Sequence, residues 1–246
     1  MSQSFNYLIL FFMKTTVPNF DLDMFPPFDG FPKEGLKFLK QLKKNNNREW
    51  FGKNKSRYED FVKLPMQSLI ASMKPEMAKF APEVEVNPKK NLFRIYRDTR
   101  FSKNKTPYKT HVAAYFMPKT KWYESAGFYV HVAPGEVYIG GGIYMPDGKQ
   151  LKLIRHAIAN NAKDFLTIVG SASFRKKFGA IEGAKLQRMP LGFPQDHMMA
   201  DWLKYKQFFA GVTLKEEESL SPKFLKKTLD VFRELHPFVK FLNDAM

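Results

Sequence analysis

The chain has 246 residues, of which 44% are hydrophobic and 26% charged, and it contains no cysteine. That composition suits a sizeable packed core. It excludes disulfides, thiolate nucleophiles, cysteine zinc sites and iron–sulfur ligation. Forty Lys and Arg against 24 Asp and Glu give a formal net charge of +16, a field that concentrates nucleic acid, anionic surfaces and phosphorylated small molecules. The plain alternative is a lysine-rich surface that only keeps the protein in solution. Absence of cysteine fits a reducing compartment, and the expected location is cytoplasmic.

Phe5 to Met13 is mostly apolar, but a spanning helix needs about 20 residues. No Lys or Arg precedes it and no small-residue cleavage site follows, which makes it a poor signal peptide. Residues 1–23 read as an N-terminal extension: a strand, a disordered arm or a start-site artefact. Residues 24–246 read as a single α+β domain without a membrane span.

Val17 to Pro32 carries four prolines and Gly30 and reads as an extended lead-in. Leu36, Phe38, Leu39 and Leu42 then mark one face of a helix that Asn45-Asn46-Asn47 stops. Trp50, Phe51, Tyr58, Phe61 and Val62 belong to a second helix. Pro65 opens a third, with Met66, Leu69, Ile70 and Met73 on one face.

The period then changes from helical to alternating. Leu92 to Arg97, Val112 to Met117, Gly127 to Val132 and Glu136 to Gly141 read as four strands of an antiparallel meander. Turns at Lys103 to Pro107, Pro118 to Thr120 and Ala133 to Gly135 separate them. Gly140-Gly141-Gly142 has no phosphate-loop pattern and reads as a bend or a close backbone approach.

Helices return with Leu151, Ile154, Ile158, Phe165, Ile168 and Val169. Ser173 to Phe178 is a short basic helix, Lys185 to Arg188 an extra strand, His197 to Tyr205 another helix and Gln207 to Thr213 a further strand. Ser221 and Pro222 start the last helix, and Pro237 restarts a final turn. Helices at both ends and strands between them define an α+β class, an antiparallel sheet packed by N-terminal and C-terminal helices.

His111, His131, His156, His197 and His236 form no metal-binding pair in sequence, and no metal or cofactor is expected. No G-x-S-x-G elbow or kinase set occurs. From Lys89 to Lys121, by contrast, ten basic residues face the single acid Asp98.

In a regular strand, Phe93, Ile95 and Arg97 share one face and Arg94, Tyr96 and Asp98 the other. Arg97 would then point at the core and require carbonyls or a carboxylate. Arg94 would point outward, joined by Arg100 if the strand continues. Read functionally, Arg94, Arg97, Arg100, Lys105 and Lys109 form an anion site, since Arg forks match phosphate and Lys supplies point charges. Asp98, Tyr108 and His111 are the candidates for proton transfer. The structural alternative is an Arg–Asp network that pins a turn.

The order Arg94, Arg97-Asp98, Arg100-Phe101, Lys105 and Tyr108 resembles the signature of the domain-of-unknown-function family 2461, an uncharacterised and mainly bacterial group. The resemblance runs from about Phe28 to the C-terminus. It includes Asn46 to Phe51, Lys105 to Lys109 and Arg188 to Phe193. It implies a shared fold and motif and carries no reaction.

Two other clusters could complete such a site: Arg48-Glu49-Trp50, and the stretch holding Arg188, Asp196, His197, Asp201, Trp202, Lys204 and Lys206. If the latter folds over the meander, Asp196 or His197 faces Arg94. The expected function is binding of a phosphate-bearing ligand or nucleic acid through Arg94 to His111. Tyr96, Tyr108, Trp122 and Tyr123 are at hand for stacking. The alternatives are an enzyme using Asp98, Tyr108 or His111 on a phosphorylated or carboxylated substrate, and a scaffold. Nothing in the sequence sets an oligomeric state.

Overall fold

A computed structural model describes residues 24–119 and 125–246. The proposed extension at residues 1–23, together with Lys121, Trp122 and Tyr123, lies outside the described residues. The chain is α+β: helices at both ends enclose an antiparallel four-stranded sheet. No described helix is long and apolar enough to cross a membrane.

Helix α1 (Lys33–Lys44) buries Leu36, Phe38, Leu39 and Leu42, the stripe its spacing dictates. Asn47 caps α2 (Arg48–Lys53) by accepting from Trp50 N at 2.9 Å. Next, α3 (Lys55–Tyr58) runs through a π turn (Glu59–Lys63) into α4 (Leu64–Phe80). Pro65 therefore opens no separate helix. Lacking an N–H, it offers nothing to the carbonyl of Phe61, four residues back, and its ring crowds that carbonyl. The wider π turn accommodates the mismatch. The displaced Phe61 carbonyl lies against Gly35 of α1, where a Cβ would collide with it.

Strands β1 (Val112–Phe116), β2 (Gly127–Ala133), β3 (Glu136–Ile143) and β4 (Phe208–Leu214) pair in sequence order. Tyr115 faces Tyr129 across β1 and β2, and Gly140 faces Gly211 across β3 and β4. Between β3 and β4 come α5 (Gly148–Asn160), α6 (Ala162–Val169), α7 (Ala172–Phe178) and α8 (Ala200–Leu203). A 3-10 turn (Glu216–Leu220) leads to α9 (Lys223–Asp244). This last helix continues through Pro237 instead of restarting there.

Alternation sorts the strands into two faces. Ala114, Phe116, Phe128, Val130, Ile139 and Phe208 are buried on the core side. Phe232 of α9 contacts Phe116 and Phe128 there, with ring centroids 5.6 and 4.9 Å apart. Burial of such a ring contributes roughly 2–3 kcal/mol. Tyr115, Tyr129, His131, Tyr138 and Phe209 occupy the other face and are half-buried.

Leu92 to Arg97 is not the strand its alternation predicts. It touches β1 through a single bridge, Leu92 to Ala114, and meets Tyr108 through another at Tyr96. Ile95 is buried, whereas Phe93 is 42% exposed. The fourth strand is instead β4, within one residue of the stretch read as Gln207 to Thr213. Lys185 to Arg188 contributes only the bridge Lys185 to Tyr205.

Candidate functional site

Residues 94–109 form a loop closed at its base. Arg97 N donates to Pro107 O at 2.9 Å and Lys109 N to Ile95 O at 2.8 Å. A residue far away in sequence completes the closure. Asn46 Nδ2 donates to Tyr108 O at 2.9 Å, and Asn46 Oδ1 accepts from Tyr108 N at 3.0 Å. The Tyr108 ring is buried and stacks on Phe51 at 4.1 Å. The Asn46 to Phe51 stretch thus holds the basic loop in place.

Within the loop most of the signature residues are already engaged. Arg97 is half-buried and donates to the carbonyl and hydroxyl of Thr106 and to Ser102 Oγ. Its partners are one carbonyl and two hydroxyls of the loop itself, not groups of the core. Arg100 is outward but grips Asp98 with two forks, Nε to Oδ1 at 3.0 Å and Nη2 to Oδ2 at 2.7 Å. Those hydrogen bonds, with a backbone one from Arg100 N, hold the Asp98 carboxyl down at about 2. It is an ionised clamp, poorly suited to take a proton near neutrality. Lys105 Nζ donates to Thr99 O at 2.9 Å.

Arg94 is different. It is exposed and, among the described residues, its guanidinium makes no ion pair or hydrogen bond. Lys109 sits beside it, donating to Arg94 O at 2.9 Å with its ammonium 4.9 Å from the Phe93 ring centre. Burial, reinforced by Arg94, lowers the Lys109 pKa. Both cations line a cleft of about 560 Å³ whose walls include Lys90, Leu92, Phe93 and Tyr115. Lys90 also pairs with Glu85 at 3.6 Å. A second hollow, of about 510 Å³, lies near Lys223 and Lys227, but Glu217 and Glu218 line it too. Its charges are mixed and Lys227 is spent on Glu218 at 2.6 Å.

His111 goes to the outer face of the sheet. Its ring lies 5.4 Å from that of His131. Burial, then the neighbouring His131 and Lys109, lower its pKa to about 4. His131 Nδ1 lies 3.2 Å from the Tyr129 hydroxyl and Nε2 lies 3.2 Å from Glu136 Oε1. Burial lowers the His131 pKa while Glu136 opposes the shift. The Tyr129 hydroxyl is pushed up to about 12 by burial and by Glu136. Asp98, Tyr108 and His111 thus occupy three different environments: an exposed clamp, the core, and the sheet face.

A family model described as conserved hypothetical protein (DUF2461) matches residues 34–241. The chain belongs to this family. No curated protein matches it. The DUF2461 match spans α1 to α9 and so contains both the loop and its Asn46 anchor.

The remaining sequence candidates play other parts in this DUF2461 chain. Trp50 is half-buried against Phe38, 5.5 Å away. The Arg188 to Lys206 stretch enters β4, at the opposite edge of the sheet from β1. There His197 Nδ1 accepts from Met199 N at 3.0 Å, Trp202 packs on Phe165, and Arg155 of α5 donates to Leu203 O. It is a cap on α5 and α6 rather than a cover for Arg94. Among the described residues no group of three His, Asp or Glu is arranged to hold a metal ion. Sequence reasoning passed over Tyr129, His131, Glu136 and Tyr138. Their only signal was the polar phase of the alternation in β2 and β3.

Proposed function

We propose that the protein binds a phosphate-bearing anionic ligand through the Arg94 to His111 segment, with Arg94 and Lys109 as the contacting cations. The observation that carries this reading is the unengaged Arg94 guanidinium at a cleft it shares with Lys109. Arg97, Arg100 and Lys105 serve it indirectly by shaping the loop, each being committed to a partner within it. The net charge of +16 draws anions toward the cleft. We place the protein in the cytoplasm, where such ligands abound.

Binding ranks ahead of catalysis because Asp98 is clamped, the Tyr108 ring is buried, and neither adjoins His111. Thermal denaturation with pyrophosphate tests the reading. Wild-type protein is stabilised as ligand rises, and Arg94→Ala, which breaks no bond in the fold, loses that stabilisation. Equal stabilisation of both proteins would sink the assignment to Arg94.

A further inference from the structure

We propose that the outer face of the sheet is a stacking platform for single-stranded nucleic acid, whose backbone lies on the Arg94 and Lys109 cleft. The proposal rests on the anion site above and extends it from a phosphate to a polymer.

The face is aromatic, with Phe93 and Tyr115 near-parallel and Tyr129 tilted by 51° against Phe93 and 48° against Tyr138. A Cβ at Gly140 or Gly211 would run into the Tyr138 ring, and one at Gly127 would run into Tyr115. The glycines therefore leave room for the hydroxyl ends of two tyrosine rings. Phe93 stacks on Tyr115 with an interplanar angle of 15° and centroids 6.5 Å apart. From Phe93 the row continues to Tyr129 at 6.3 Å and from Tyr129 to Tyr138 at 6.3 Å. His131 lies beside Tyr138 at 6.0 Å, tilted by 26°.

The helix packed most extensively on the sheet, α9, lies on the other face. α4 and α7 pack on the sheet and on α9, whose Phe232 lies against the opposite, core face. Phe93 is left 42% exposed, and Tyr129, His131 and Tyr138 are half-buried.

Charge decides the occupant. Arg94 and Lys109 flank the Phe93 end of the row, beside the Lys90–Glu85 pair. The acids at the far end are engaged locally, Glu136 with His131 and Glu182 with the Tyr138 hydroxyl at 3.1 Å. Cations beside a row of aromatic rings match a phosphodiester backbone carrying unpaired bases. A single nucleotide would use one ring. A row across three strands suits several successive bases, and a duplex keeps its base faces hidden.

Fluorescence anisotropy with a labelled ten-nucleotide oligouridine tests the platform. The competitors are a duplex of equal length, inorganic polyphosphate and uridine monophosphate. The single strand is expected to bind most tightly. Phe93→Ala should weaken it roughly tenfold, the scale of one lost stacking contact, and Phe93→Tyr should restore it. Tyr129→Leu, which keeps apolar volume, should weaken it too. Tyr129→Leu, which lies outside the cleft, should leave stabilisation by pyrophosphate unchanged.

If pyrophosphate stabilises the protein but single strand, duplex and polyphosphate bind alike, and Phe93→Ala matches wild type, the platform is wrong and the anion site stands. Uridine monophosphate binding as tightly as the oligomer would likewise overturn the polymer. If neither pyrophosphate nor any oligonucleotide binds, both readings fall together.

Discussion

Asn46 satisfies both backbone hydrogen-bonding groups of Tyr108, 62 residues away, at 2.9 and 3.0 Å. Its side-chain amide does what a neighbouring strand would do, and so ties the basic loop to the N-terminal helices. Removing it leaves a donor and an acceptor of a buried residue without their partner, at about 1–3 kcal/mol for each group left dry. Asn46→Ala should lower stability by about 2 kcal/mol in urea denaturation. Amide exchange should accelerate at Tyr108 and Lys109. Asn46→Asp keeps the acceptor only and should fall between. An alanine variant as stable as wild type would show that water replaces the side chain.

Arg97 and Arg100 stand three residues apart in the same signature and should respond differently. Arg97 is half-buried on Thr106 and Ser102. Its loss strips partners from a carbonyl and two hydroxyls, so Arg97→Ala should cost about 1–2 kcal/mol. Arg100 is 78% exposed in its pair with Asp98, and such exposed pairs add little to stability. Arg100→Ala should leave the urea midpoint close to wild type. It should also release the Asp98 carboxyl from its depressed value of about 2, visible as a rise in its NMR titration midpoint. A larger stability loss for Arg100→Ala than for Arg97→Ala would reverse this assignment.

The contrast between these arginines marks where the sequence was legible. The pattern of short β-branched and aromatic runs between turn signals placed β1, β2 and β3, with buried and half-buried residues taking turns along β2 and the start of β3. It failed at Leu92 to Arg97. That segment alternates too, but its backbone bonds divide between β1 (Phe93 N to Ala113 O) and the loop's own return (Arg97 N to Pro107 O, Lys109 N to Ile95 O), which leaves isolated bridges and no continuous ladder. Period 2 put Phe93, Ile95 and Arg97 on one inward face; Ile95 is buried, but Phe93 is 42% exposed and Arg97 is half-buried within the loop, while Arg94 is exposed as expected. It could not tell that Asp98 would reach Arg100 and leave Arg94 unengaged, because that depends on the local turn. The Tyr129, His131 and Tyr138 face looked like an ordinary solvent phase. Its glycines read as a close approach of backbone, and the group approaching is a tyrosine ring.

Pro65, Phe61 and Gly35 form a second long-range dependence. The proline displaces the Phe61 carbonyl, and only a residue without Cβ fits beneath it. Gly35→Ala should therefore cost about 1–3 kcal/mol through forced separation of α1 from the π turn. This is opposite in sign to the usual benefit of alanine in a helix. A double variant with Pro65→Ala gives the carbonyl an amide partner. It should recover part of the loss, and strict additivity of the two changes in urea denaturation would refute the coupling.

His111 gives the fold a dependence on pH. Its folded pKa of about 4 lies below the ordinary 6.5 because burial, His131 and Lys109 all disfavour the charged ring. Between those values the unfolded chain binds a proton that the folded chain refuses. Stability therefore rises with pH across that window. The contribution is complete above about pH 6.5 and fades as pH falls toward 4. His131 shifts in the same direction and will add to the effect, with Glu136 opposing. Urea midpoints measured from pH 7 to pH 4.5 should fall more steeply for wild type than for His111→Gln, which cannot titrate. The comparison matters because carboxylates paired in the folded state, such as Glu216 with Lys40, also lose stability in acid. Parallel slopes in the two proteins would mean that the His111 ring takes its proton without cost and is wetter than its packing against His131 implies.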